Sequence, residues 1–257
     1  MKKLIAYTLY GEDPKYIEGM VKNVNTKDDF YPDWQIIVYH DDSLQNSIVD
    51  FLKSNNVILR DFTDSGMFAA SWRFCAFDEP DTERIIVRDS DSRFTNREAE
   101  AVKDWEDSGK CLHVMRDHPH HGYPIMGGMW GIKCGLTAES FRPELIGVDT
   151  QIFTLGFSMK EAIMAYQRGR QNNITDRNTW LQTDQNFLRD GIYKTFGHPD
   201  TCKIHAAMDY MDRVGWQNEN WAEDFPSPID EEKHFIGEIF VFDKEGNEQR
   251  EYHYKER

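Results

Sequence analysis

The sequence predicts an α/β fold with a mostly parallel central sheet and helices on both of its faces. Three observations lead there. Short apolar runs rich in isoleucine and valine recur at residues 3–9, 35–39, 57–60, 84–87 and 111–115. Between them the apolar side chains switch to helical spacing, as at Ile17, Met20, Val21 and Val24. Cap and turn residues sit at the changes of period. Alternation of this kind is the pattern of βαβ units.

Each element follows in order. Gly11-Glu12-Asp13-Pro14 ends the first strand and opens a helix with proline at its first position. The 35–39 strand closes on His40-Asp41-Asp42-Ser43, and Leu44, Ile48, Phe51 and Leu52 mark the next helix. Residues 65–77 read as a third helix. Thr95-Asn96 caps a fourth, which carries Ala99, Val102 and Trp105 and is closed by Gly109. The second half is less regular. A helix is expected over 157–167 and another opening at 182–189. Residues 235–242, the turn Asp243-Lys244-Glu245-Gly246 and residues 249–254 form a C-terminal hairpin.

The 257 residues carry a net charge of −15, which excludes a non-specific nucleic-acid binder and a helix that docks on anionic lipid. With 39% hydrophobic and 13% aromatic residues the chain can build a core. No apolar run approaches the ~20 residues of a membrane span. Met1-Lys2-Lys3 leads into the first strand rather than a signal peptide. Cys75, Cys111, Cys134 and Cys202 show no CxxC spacing and read as reduced thiols of a cytoplasmic protein. A single domain over 1–257 is expected, divided functionally into 1–115 and 116–257. The acidic stretch 218–232, with two prolines, reads as a mobile loop.

In an open parallel sheet, ligands bind beyond the carboxyl ends of the strands. Thr8-Leu9-Tyr10, Asp41-Asp42 and Arg88-Asp89-Ser90-Asp91 occupy those positions. Asp89 and Asp91 are two apart at the exit of an isoleucine/valine strand. Two carboxylates held close repel, and a divalent cation is their natural partner. Such a triplet in an acidic chain is also compatible with a solvated turn. Its place beside Arg88, Arg93 and Arg97 favours a metal-bound diphosphate.

In order and spacing these motifs resemble the GT-A-fold, nucleotide-sugar-dependent glycosyltransferases with a DxD motif. Ser71-Trp72-Arg73-Phe74 is similar to an aromatic–arginine pair of the retaining family 8 enzymes related to glycogenin. Thr183-Asp184-Gln185-Asn186-Phe187-Leu188 is similar to their DQD segment, with an amide in place of the second carboxylate. His205 falls where that family supplies a third metal ligand, here followed by Ala206-Ala207. Residues 88–97 and 113–133 resemble viral and bacterial capsule-type glycosyltransferases of the same fold. The likeness spans roughly residues 3–210.

The resemblance implies a site. Asp89, Asp91 and His205 would hold Mn²⁺ or Mg²⁺. Tyr7, Thr8, Tyr10, Asp42, Arg73 and Ser90 would bind the donor, a UDP-sugar in preference to a GDP-sugar, with 1–115 as its half of the chain. Asp184 would accept hydrogen bonds or act as base, and an N-cap accounts for it equally well. In a retaining reaction the nucleophile would be the acceptor itself or a protein group such as Gln185, and Asp117 is a rival base. His118, Gly128 and Trp130 would meet a saccharide or glycoconjugate acceptor, although any tryptophan here also fits the core. Pro119 interrupts His118, His120 and His121, against a zinc site. Two other readings stand beside this one. A sugar nucleotidyltransferase shares the sheet and the metal, but Tyr10-Gly11-Glu12-Asp13-Pro14 lacks its glycine-rich basic loop. The other is a non-catalytic nucleotide- or sugar-binding module.

Overall fold

The structure is a computed structural model, and it describes residues 1–135, 158–171, 183–207 and 220–251. Seven strands form one sheet: β1 (Lys2–Leu9), β2 (Gln35–His40), β3 (Ile58–Asp61), β4 (Thr82–Val87), β5 (Leu112–Arg116), β6 (Trp130–Lys133) and β7 (Cys202–Ala206). Their order is β3-β2-β1-β4-β6-β5-β7. All pairings are parallel except those of β6, which runs antiparallel between β4 and β5. The expected α/β architecture with a mostly parallel sheet is the observed one. β6 was not expected as a strand. It fills the gap that the β4-to-β5 crossover leaves open.

Helices cover both faces because the strands are buried on both. Period-2 alternation sends Leu4, Ala6, Ile85 and Val87 to one face, where they meet Trp72, Phe74 and Trp130. Ile5, Tyr7, Leu9 and Ile86 go to the other, against Met20 and Trp105. Helix α1 (Pro14–Phe30) starts as expected, with Asp13 accepting from the Lys15 N–H at 2.9 Å. It is followed by α2 (Asn46–Ser54). α3 (Asn96–Ser108) is capped by Thr95 and closed by Gly109 at φ 70°. The segment expected as a helix over 65–77 is a 3₁₀ helix at Ala69–Asp78. The expected 157–167 helix is α4 (Met159–Gln171), and the helix expected to open at 182–189 is helical from Thr183, α-helical at Thr183–Phe187 and then π-helical at Leu188–Tyr193. The C-terminal hairpin is shorter than expected, β8 (Phe240–Phe242) with β9 (Glu248–Arg250). Gly237 at φ +79° breaks the approach to β8, and residues 252–254 lie outside the described residues.

The order creates a switch point. From β1 the chain steps to β2 and β3 on one side, and β4 lies on the other. The carboxyl ends of β1 and β4 therefore bound the crevice where an open α/β sheet takes its ligand.

Two buried polar networks brace this frame. Beneath the exit of β4, the Arg88 guanidinium donates to Glu98 at 2.6 Å and to the Val87 and Trp130 carbonyls, and the Tyr31 hydroxyl donates to the same carboxylate. Arg88 and Glu98 are each 2% exposed. At the far edge of the sheet, His113 Nε2 and His205 Nδ1 lie 2.9 Å apart, and His205 Nε2 donates to Asp104 at 3.0 Å. That pattern puts a proton on His113 Nε2 and leaves its buried Nδ1 without a partner. Burial holds the His205 pKa down to about 4 and that of His113 well below the usual histidine value.

Two expectations follow. Glu98→Ala strands a buried guanidinium and should cost about 3 to 5 kcal/mol, read as a lowered urea midpoint. His113 and His205 are neutral in the fold but take up protons near pH 6.5 once unfolded. The His205 contribution to stability is complete above about pH 6.5 and is lost as the pH falls towards about 4, and His113 shifts in the same direction. The urea midpoint should fall over that window, and His205→Gln should make the fall smaller.

Candidate functional site

The loop after β4 carries Asp89-Ser90-Asp91 into the switch-point crevice, and three neighbours hold it. The Ser92 hydroxyl donates to the Asp89 carbonyl at 2.8 Å. Asn23 on α1 donates to the Ser90 carbonyl at 3.3 Å. The Phe240 N–H of the hairpin donates to the Asp91 carbonyl at 2.8 Å. α1 comes so close that a Cβ on Gly19 would lie 2.2 Å from the Ser90 oxygen.

Two adjoining cavities meet at Asp89. One, of about 230 Å³, is lined by Thr8, Tyr10, Tyr16, Arg73, Ser90, Asp184 and Gln185. The other, of about 400 Å³, is lined by Lys15, Asp91, His118, His121, Gly128 and Phe235 among others. Tyr16, Asp89 and Gln185 line both.

Each carboxylate of the pair has an internal cation. Arg73 Nη1 donates to Asp89 and, at 2.9 Å, to the Arg88 carbonyl. Its backbone N–H is fixed by Thr8 Oγ1 at 3.1 Å. The Lys15 ammonium lies 3.1 Å from Asp91. Burial, and after it the negative charge of Asp89, pushes the Asp91 carboxyl above the usual aspartate range. Burial opposes the charge on Lys15, yet the Asp91 carboxylate holds its pKa above the usual lysine value. Asp184 is buried, and burial pushes its carboxyl up, with Arg73 pulling the other way.

Glycines let the opposite wall approach. A Cβ on Gly128 would sit 1.9 Å from Asp89 Oδ2, and one on Gly127 would sit 2.9 Å from the Gln185 amide group and 3.1 Å from Arg73. The Gln185 amide fits this loop by donating to the Ile125 carbonyl at 3.1 Å and accepting from the Gly127 N–H at 3.0 Å.

The donor set suits a hard divalent cation. Two carboxylates reach one cleft, one of them half-exposed, and Asp91 feels the charge of Asp89. Water and phosphate oxygens can complete such a shell. Among the described residues, no cluster of three or more histidine, cysteine, aspartate or glutamate side chains could hold a metal.

Thr8, Tyr10, Arg73, Asp89, Ser90, Asp91, Asp184, Gln185, His118 and Gly128 thus meet at the crevice. Five residues do not. Both ring nitrogens of His205 are taken by His113 and Asp104 at the β7 edge, so its place as a metal ligand is corrected. Asp117 is held by two bonds from Arg97, at 2.9 and 3.1 Å, and by the Ile236 N–H, which makes it a structural anion and not a base. The Tyr7 side chain points into the core with Ile5 and Leu9, away from the donor cleft. Trp130 is fully buried against Phe74 and cannot meet an acceptor. Asp42 is exposed after β2 and lines neither cavity. Trp180 and Trp216 lie outside the described residues.

Sequence reasoning missed Lys15, Tyr16 and Phe235. The first two sit in the opening turn of α1, directly after β1 reaches the ligand edge. That turn was the available signal. Phe235 stacks on His118 with ring centroids 4.1 Å apart, and no local pattern announces it.

No family model matches the chain, and no curated protein matches it. Among solved structures it is similar to S. aureus TarS 1-349 in complex with UDP, at 22% identity over 46% of this chain and 36% of that one, with a TM-score of 0.35. It is similar to the mannosyltransferase PcManGT from Pyrobaculum calidifontis in complex with GDP-Man and Mn²⁺, at 14% identity over 73% and 69%, with a TM-score of 0.43. It is also similar to a 4-diphosphocytidyl-2C-methyl-D-erythritol synthase from Anaerococcus prevotii DSM 20548, at 11% identity over 85% and 99%, with a TM-score of 0.39. The chain spans about a third of the first of these. Likeness at this level leaves the chemistry to the side chains.

Proposed function

We propose that the chain is a metal-dependent glycosyltransferase that moves a sugar from a nucleoside diphosphate donor to a saccharide-type acceptor. One observation carries this reading. Asp89, Asp91, Arg73 and Asp184 converge on one cleft at the switch point of a parallel sheet. A cleft of this chemistry suits a diphosphate flanked by a nucleoside and a sugar.

Roles follow from position. Asp89 and Asp91 hold Mn²⁺ or Mg²⁺, which supplies Lewis-acid neutralisation of the leaving diphosphate. Arg73 is fixed at its backbone by Thr8 and at its guanidinium by the Arg88 carbonyl, so the guanidinium meets phosphate oxygens or sugar hydroxyls at little entropic cost. Tyr10 and Tyr16 are the exposed aromatics of the cleft, 48% and 40% accessible, and offer faces to a base and ribose. Asp184 accepts a hydroxyl hydrogen bond, and its raised pKa makes it a better proton acceptor than a solvated carboxylate. Gln185 already spends its amide on the 125–127 loop, so we assign it to shaping the wall and not to attack. The acceptor enters on the His118 and Phe235 side. Phe235 also borders a larger cavity of about 700 Å³ at the start of α3, with room for further sugar units.

A thermal-shift series with UDP, GDP, CDP and dTDP, each with and without Mn²⁺, tests the reading. One nucleotide should raise Tm only with metal, by about 2 to 4 °C for each kcal/mol of linkage. Shifts with none of the four would overturn it. Asp91→Asn should abolish the metal-dependent part. Asp184→Asn should lower transfer by about a hundredfold or more while donor binding persists. Gly128→Ala drives a methyl into Asp89 and should weaken metal-dependent donor binding by about tenfold or more.

A further inference from the structure

Arg73 and Lys15 both neutralise the acidic pair, but they are built differently. The Arg73 side chain is 8% exposed and tied to the Arg88 carbonyl as well as to Asp89. The Lys15 side chain is 21% exposed, and among the described residues its carboxylate partners are Asp91 at 3.1 Å and Glu251 at 3.9 Å. Its backbone is fixed by the Asp13 cap, so the four-carbon stem swings from a rigid base. Lysine lines the same cavity as Asp89, Asp91 and Gly128, and the Tyr16 ring lies 5.1 Å from the ammonium. A compact ammonium on a flexible stem is the cation that can be exchanged. The guanidinium with two fixed acceptors is not.

Asp91 cannot keep a monovalent ammonium and a divalent cation in one place. The two repel at contact distance, and the buried carboxylate is better neutralised by the higher charge. The displaced ammonium remains inside the cleft, where a diphosphate brings new anionic oxygens. We propose that Lys15 is an exchangeable internal counter-ion. It holds Asp91 before metal binds, yields it to the metal, and then donates to the diphosphate. This rests on the metal and donor reading above and extends it. Lys15 makes metal binding alone weaker and metal-plus-diphosphate binding stronger, so the two ligands become cooperative through one side chain.

Mn²⁺ binding without nucleotide, followed by water-proton relaxation, tests the first half. UDP and GDP titrated into Mn²⁺-loaded protein by calorimetry test the second. Lys15→Met should bind Mn²⁺ alone about fivefold or more tightly, and the Mn²⁺-loaded variant should bind its preferred diphosphate about tenfold more weakly. Lys15→Arg, which keeps the charge, should restore part of the diphosphate affinity. If Lys15→Met leaves Mn²⁺ affinity unchanged while Asp91→Asn abolishes it, the counter-ion is wrong and the metal site stands. Tighter Mn²⁺ with unchanged diphosphate affinity would overturn the hand-over. Mn²⁺ affinity indifferent to Asp91→Asn would overturn the metal reading itself. Circular dichroism of each variant separates these outcomes from misfolding.

Discussion

Two like charges at the exit of β4 set the terms for everything around them. Asp89 and Asp91 leave a strand whose last residues are buried, so water alone cannot screen them. The protein answers with cations at graded depth. Arg88, paired with Glu98, lies fully buried beneath the loop and bonds the Val87 and Trp130 carbonyls of the adjoining strands. Arg73 stands at the wall, anchored at both ends. Lys15 is the outermost and least constrained. The gradient runs from a permanent structural ion pair to an exchangeable one. The site's charge can therefore change without disturbing its frame.

The frame is stiff because backbone approaches backbone. Gly19 lets α1 lie against the Ser90 carbonyl, and Gly128 lets the loop before β6 lie against the Asp89 carboxylate. A Cβ at either place would lie 2.2 or 1.9 Å from these oxygens and force them away. The hairpin adds the Phe240-to-Asp91 bond from a region far along the chain. The acidic loop is thus held from the first helix, from the loop before β6 and from the C-terminal hairpin. Convergence of distant segments on three residues is costly in chain entropy, and a site that must hold geometry under changing charge is a reason to bear it.

Much of this was legible. The alternation of apolar runs and helical spacing gave the sheet and its helices, and the rule of carboxyl ends singled out Asp89 and Asp91 before any coordinates. What failed did so for identifiable reasons. Tyr7 and Thr8 are adjacent in a strand, so their side chains must point to opposite faces, and only Thr8 turns towards the 3₁₀ helix and Arg73. Treating both as ligand residues ignored that period. His205 was placed by its order along the chain, whereas β7 pairs with β5 and aims the ring at His113. β6 was hidden because Trp130-Gly131-Ile132-Lys133 is short and contains a glycine, which a strand tolerates where another backbone and Trp105 press close. Asp117 was read as free after a strand, but its partner Arg97 comes from another helix, beyond the reach of any local pattern.

The charge ledger of the cleft also separates the two enzymatic readings that the sequence left open. Nucleotidyl transfer begins from a triphosphate, which carries more negative charge than a diphosphate and is usually met by a basic glycine-rich loop after the first strand. Here that position reads Tyr10-Gly11-Glu12-Asp13-Pro14, without a glycine-rich run, and the lysine that follows it, Lys15, is paired with Asp91. The two cations of the cleft, fixed Arg73 and exchangeable Lys15, are each matched by one aspartate, so before metal binds the protein offers no surplus positive charge from this pair. Any net attraction for phosphate must come with a bound divalent ion. On the proposed reading, then, the want of a basic glycine-rich loop is what sets this cleft apart from nucleotidyl transfer.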